Sequence, residues 1–144
     1  KFCAAYFAIH KNPNFNEPTD AMIYMIVAAL GFATVENLGV LYSGQAGASV
    51  LWGTTLETIS FRFVGATLLH TVSSGIAGYY WAKMLRNFDS RKWLVFGLFV
   101  ASVLHMLFNY LILVYGNLIY PLILVVIAGL FILGDFEKLK EETV

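Results

Sequence analysis

The sequence predicts an all-α, polytopic transmembrane helix bundle, with four full spans and the end of a truncated one in a single membrane domain over residues 1–144. Three observations predict it. Hydrophobic residues make up 59% of the chain and charged residues 12%, and the mean hydropathy is +0.73. So little polar surface cannot cover a soluble domain of this size. The apolar residues gather into runs of about the ~20 residues that a spanning helix needs. Finally, Lys and Arg keep to every second connection between those runs.

Taken in order, residues 1–10 read as the last turns of a truncated helix, and HKNPNFNEP, 10–18, as a polar loop with prolines at 13 and 18. Thr19 and Asp20 suit a helix start, where an acid meets the positive end of the helix. The first full span covers about 19–43. QAGASVLWGTT, 45–55, has turn and interface character. The second span covers about 57–84 and closes on KMLRNFDSRK, 83–92. The third covers about 93–115. Tyr115-Gly116-Asn117 makes a tight turn, the fourth span covers about 118–134, and DFEKLKEETV is a charged tail. There is no internal repeat and no low-complexity segment.

Lys11, the 83–92 loop with Lys83, Arg86, Arg91 and Lys92, and the tail with Lys138 and Lys140 fall on one side of a four-span bundle. The positive-inside rule makes that side cytoplasmic. Trp81 and Trp93 flank the basic loop, while Tyr42, Trp52, Tyr115 and Tyr120 mark the far interface. Net charge is zero and no basic cluster is large, which argues against a nucleic-acid partner. One cysteine, Cys3, leaves no internal disulfide and no zinc motif of its own. Lys1 follows no methionine and KFCAAYFAI opens mid-pattern, so the expectation is a fragment lacking N-terminal residues.

The polar residues inside the spans carry the functional reading. They are Glu36, Arg62, His70, His105 and Asn109. At about 1.5 Å per helical residue, Glu36 lies roughly 25 Å from the cytoplasmic end, His70 roughly 21 Å and His105 roughly 19 Å. Three helices thus bring a carboxylate and two imidazoles to similar depth. Asn109 and Ser102 share the His105 face; Ser73, Ser74 and Ala77 share that of His70; Ala29 and Ala33 precede Glu36 on its own. Small residues admit close helix approach around an interior site. Alone, each imidazole reads more simply as a satisfied core histidine, and Glu36 as a protonated or backbone-bonded acid. Coincidence at one depth on three helices favours a joint role. Arg62 lies near the far interface and reads as an anchor, His10 as an interfacial histidine, Glu17 and Asp20 as loop and helix-start acids, and Gly75 and Gly78 as packing positions.

Glu36, His70 and His105 suit two hydrolytic chemistries. They could bind a divalent metal such as zinc, which would acidify a bound water. Alternatively, the carboxylate acts as general base on water while histidine and Asn109 stabilise an oxyanion, with no metal. A third reading is a proton- or ion-coupled membrane transporter. The absence of repeated halves and of Gly/Pro-broken spans argues against it.

Five stretches resemble one family: KF at the start, FNEPTDAMIY (15–24), GFATVEN (31–37), RFVGATLLH (62–70) and HMLFN (105–109). They look like the PrsW-type intramembrane proteases, which are similar in turn to the type II CAAX prenyl endopeptidases and their Abi relatives. The resemblance covers roughly residues 1–115. It implies an intramembrane endopeptidase of a bacterial or archaeal plasma membrane, acting on membrane-bound protein substrates such as anti-sigma factors. It places Glu36, His70 and His105 in the active site with Asn109 in support. The family's first motif is Glu-Glu-x-x-Lys, and Lys1 matches its last position, so the glutamate pair falls before this sequence begins. This stretch alone is therefore expected not to turn over substrate, and a non-catalytic relative of the same fold is the further alternative. The resemblance leaves the metal open: PrsW-like proteins are labelled metalloproteases, while the CAAX relatives are argued to use a glutamate without metal.

Overall fold

In the computed structural model, which describes residues 1–9, 12–42, 52–86 and 91–141, every regular element is an α-helix. The order is α1 (Phe2–Ile9), α2 (Pro18–Tyr42), α3 (Trp52–Arg86), α4 (Lys92–Tyr115) and α5 (Ile119–Glu141). The helices match the expected spans to within a residue or two, with two exceptions. First, α3 starts at Trp52, inside the stretch read as turn-like. Second, α5 runs through DFEKLKE to Glu141, because Glu, Lys and Leu are strong helix formers and nothing after Gly134 breaks the helix.

Among the described residues, three helical segments are long and apolar enough to cross a membrane: Pro18–Val40, Lys92–Tyr115 and Ile119–Lys140. The second expected span is not among them. α3 has ample length at 35 residues, but Thr67, His70, Thr71, Ser73 and Ser74 dilute its apolar character. Its position explains why that polarity is tolerated. α3 packs against α2, α4 and α5, so its polar side chains face protein. Leu69, His70, Ser73, Ser74, Ile76, Ala77, Trp81 and Ala82 are all buried on it. The outward surface is apolar instead: Val27, Val35, Phe99, Leu130 and Phe131 are exposed. Water would penalise so continuous an apolar exterior, whereas lipid covers it.

Two core clusters hold the bundle. One joins α1, α2 and α3 through Ala5, Ala21, Met22, Met25, Ala77 and Trp81, with Leu139 of α5. The other joins α3, α4 and α5 through Leu69, Ile76, Leu104, Phe108 and Val125. Trp81, expected at the membrane interface, is only 2% exposed; the Phe2 ring meets it edge-on at 5.0 Å and Phe15 stacks at 6.1 Å. Trp93 keeps the surface role: it stacks on Tyr80 at 6.1 Å, with the Lys83 ammonium 4.3 Å from its ring centre.

The reading of Gly78 as a packing position has a direct cause. A Cβ there would lie 2.7 Å from Met22 Cα and 3.1 Å from the Ala21 carbonyl oxygen, so α2 and α3 touch backbone to backbone. At the turn after α4, Gly116 adopts φ +65° and its N–H donates to the Ile112 carbonyl at 2.9 Å, a left-handed cap that suits glycine. The loop before α2 is tied down locally. Pro18 opens the helix, where its missing N–H costs nothing. Asp20, in the first turn of α2, reaches back: its Oδ2 accepts the N–H groups of Asn16 and Glu17, each at 3.0 Å, as the third residue of a capping box does. Asn12 Nδ2 donates to the Tyr24 hydroxyl at 2.7 Å.

Candidate active site

Glu36 sits on the last third of α2, His70 at mid-length on α3 and His105 on the second half of α4. The three converge. His70 Nε2 stands 2.5 Å from Glu36 Oε2, and the His70 and His105 rings stack with centroids 5.3 Å apart at 22°. The other nitrogen of His70, Nδ1, lies 2.5 Å from Lys1 Nζ. An ammonium can only donate. Nδ1 therefore accepts, which places the imidazole proton on Nε2, where it donates to Glu36. The result is a line of polar groups from Lys1 through His70 to Glu36.

His70 is the fixed member. Its side chain is 3% exposed, against 47% for Glu36. Phe32, one turn before Glu36 on α2, presses edge-on against the His70 ring at 5.3 Å and 85°. The same Phe32 ring lies 5.1 Å below Lys1 Nζ. A buried, doubly bonded imidazole orients the carboxylate, and a half-exposed carboxylate can meet water.

Two cavities lie against these side chains. A cavity of about 630 Å³ is lined by Lys1, Glu36, His70, Ser73, Ser74 and His105, and extends to Cys3, Ala77 and Ser102. A second, of about 360 Å³, shares Glu36, His70 and His105 and adds Asn37 and Asn109 among apolar neighbours such as Phe108 and Ile112. The fold thus brings Glu36, His70, His105 and Asn109 to one place. Ser73, Ser74 and Ala77 line the first cavity on the His70 face, as their spacing implies. Ser102 lines it too, but its hydroxyl is committed to the Leu98 carbonyl at 2.8 Å. His10 and the Arg62 side chain lie outside the described residues.

Sequence reasoning did not single out Lys1, Phe32 or Asn37 as members of this set. Lys1 and Phe32 had a signal: the first is the final residue of a family motif, and the second stands four residues before Glu36 on the same helical face. Asn37 had only adjacency to Glu36. Its Nδ2, with Thr67 Oγ1, is a buried side-chain atom lacking a hydrogen-bond partner.

The donor types would suit a divalent ion, but their arrangement does not. Among the described residues no three His, Cys, Asp or Glu side chains group closely enough to hold a metal ion. Both His70 nitrogens are already engaged, by Lys1 and by Glu36. What remains is a carboxylate oriented by an imidazole beside a second imidazole and an amide, a set suited to general-base hydrolysis.

Comparison with known proteins identifies the family. A family model described as "PrsW family intramembrane metalloprotease" matches residues 1–133. The chain belongs to the PrsW family. It is 30% identical to the Protease PrsW of Halalkalibacterium halodurans over 118 residues, covering 81% of this chain and 50% of that protein. It is 29% identical to the Protease PrsW of Geobacillus kaustophilus over 114 residues, 78% of this chain and 46% of the relative. For the Protease PrsW of Bacillus subtilis the figure is 29% over 122 residues, 83% of this chain and 51% of the relative. The chain spans about half the length of the curated PrsW relatives it matches. No solved structure matches it. Membership and the apolar helices together make this a multi-pass membrane protein of a protease family.

Proposed function

We propose that the protein is an intramembrane endopeptidase that hydrolyses peptide bonds of membrane-associated protein substrates, with Glu36 as the general base. The observation that supports this best is the Lys1–His70–Glu36 line, which points a half-exposed carboxylate at cavities shared with His105 and Asn109. Glu36 takes a proton from water as the oxygen attacks the scissile carbonyl carbon. The carbonyl oxygen gains the negative charge, and the Asn109 amide and the His105 ring lie on the side where donors can stabilise it. Collapse of the tetrahedral intermediate breaks the C–N bond. The proton on Glu36 passes to the leaving nitrogen, giving a carboxylic acid and an amine and returning the carboxylate. His70 and Lys1 hold Glu36 in place throughout.

On this reading α3 is the fourth crossing, kept polar because the other helices enclose it. The 83–92 loop and the C-terminus are cytoplasmic, and the membrane is a bacterial or archaeal plasma membrane. Anti-sigma factors are the substrate type that the family resemblance implies. The test uses the full-length protein in a bacterial host, comparing wild type with Glu36→Gln by mass spectrometry of new protein N-termini in the membrane fraction. New termini in or beside membrane spans that depend on Glu36 are the expected result. Identical sets of termini in the two strains overturn the proposal.

A further inference from the structure

Asn37 carries an amide nitrogen that is buried and, among the described residues, has no hydrogen-bond partner. Buried amide donors are nearly always paired, because leaving one bare forfeits its hydration with no return. A bare donor held beside a catalytic carboxylate is more simply a donor waiting for an acceptor. Its position says which acceptor. Asn37 lines the second cavity and is absent from the lining of the first, although Glu36, His70 and His105 border both. Asn109, the amide given the oxyanion role above, lines only the second cavity as well. Two side-chain amides, from α2 and α4, therefore share a cavity with the base. Beyond Glu36 and the two histidines the rest of its wall is apolar, with Val40, Ala66, Phe108 and Ile112, so an oxygen bound there finds its side-chain donors in these two amides and the His105 ring.

We infer that Asn37 is a second oxyanion donor: its amide, closed off from water, turns when a peptide enters the second cavity and donates, with that of Asn109, to the scissile carbonyl oxygen. This rests on the hydrolytic reading above and assigns the substrate carbonyl to that cavity. Water reaches Glu36 from the first cavity, which Ser73 and Ser74 help to line. A hydrogen bond to an oxyanion is stronger than one to a neutral carbonyl, so the donor acts mainly on the transition state.

The test combines kinetics with stability in the full-length protein. The probe is a fluorescent reporter carrying the membrane segment cleaved in the wild-type strain, reconstituted with enzyme in liposomes. Asn37→Leu keeps the volume and removes the donor. It is expected to lower kcat about 10²–10³-fold with KM within about threefold, while the melting temperature stays level or rises because a bare buried donor has gone. Should Asn37→Leu fail to insert, Asn37→Asp, which replaces the donor by an acceptor at the same size, gives the same kinetic reading. Cleavage within about threefold of wild type by either variant, while Glu36→Gln is inactive, overturns this inference and leaves the proposed function standing. Loss of cleavage together with a lowered melting temperature in both variants also overturns it, by making Asn37 a structural residue. If Glu36→Gln cleaves like wild type, the proposed function itself fails.

Discussion

Gly78→Ala changes nothing in the active site yet should disable it. The new methyl would sit 2.7 Å from Met22 Cα and 3.1 Å from the Ala21 carbonyl oxygen. Carbon atoms prefer about 3.5–4.0 Å, and backbone cannot swing aside as a side chain does, so α2 must move off α3 by on the order of 1 Å. Overpacking of this kind costs about 1–3 kcal/mol, and the better helix propensity of alanine returns up to about 1 kcal/mol. The net destabilisation is therefore roughly 0–3 kcal/mol. The functional loss should be larger. The His70–Glu36 contact, 2.5 Å between α3 and α2, is lost with such a displacement, and a misplacement of about 1 Å can cost on the order of 10²-fold in rate. Gly31→Ala, on α2, is the control, since its Cβ meets nothing within 4 Å. The assay pairs reporter cleavage in liposomes with thermal unfolding in detergent. Gly78→Ala should cleave on the order of 100-fold more slowly while losing only a few degrees in Tm; Gly31→Ala should match wild type in both. Wild-type cleavage by Gly78→Ala would refute the reasoning that the α2–α3 approach sets the Glu36 position.

His70→Ala, His105→Ala and Glu36→Gln should each remove most cleavage while insertion survives, and double changes should add little because the groups act as a unit; His10→Ala should be near neutral, and normal turnover by both histidine variants would sink the site. Asn109→Ala should lose the value of one oxyanion donor, about 2.7–4 kcal/mol, visible in kcat; an unchanged kcat would remove Asn109 from the reaction. A chelator should leave reporter cleavage unchanged, since both His70 nitrogens are engaged within the protein; activity lost to chelation and restored by zinc would establish a metal. A cysteine placed at Ser90 in a Cys3→Ser background should resist an impermeant label added outside intact cells, and strong labelling there would invert the orientation.

What was legible in the sequence, and what was not, follows from the range of each interaction. The helices from Pro18 to Tyr42 and from Lys92 to Tyr115 were readable because apolar runs and their breakers, Pro18 and Gly116, are local. The common depth of Glu36, His70 and His105 was readable because helical rise is constant. Their contact partners were not. The closure of Lys1 onto His70 joins residues 69 positions apart, and no local pattern reports which imidazole nitrogen faces which group. The burial of Trp81 was not legible: its proximity to Lys83 was visible, whereas its cover by Phe2 and Phe15 depends on how α1 and the loop fold back. The second expected span, on α3, is not among the segments apolar enough to cross a membrane: its polar residues lower its apolarity, and only its central position shows why they are tolerated. Asn37 was silent because nothing in a sequence reveals an amide without a partner.

The backbone contact at Gly78 makes α2 a lever. It is clamped to α3 near Met22, while further along, Gly31 and Gly39 have open space around them and Val35 and Leu38 face outward. From Met22 to Glu36 the arm is about 21 Å long at helical rise. A tilt of only about 3° about the clamp would carry the Glu36 carboxylate about 1 Å, the scale on which hydrolysis is won or lost. Helices change tilt when the thickness of the surrounding bilayer changes. On the proposed mechanism, bilayer thickness then becomes an input to the chemistry, acting on the same α2–α3 approach that a mutation at Gly78 would force.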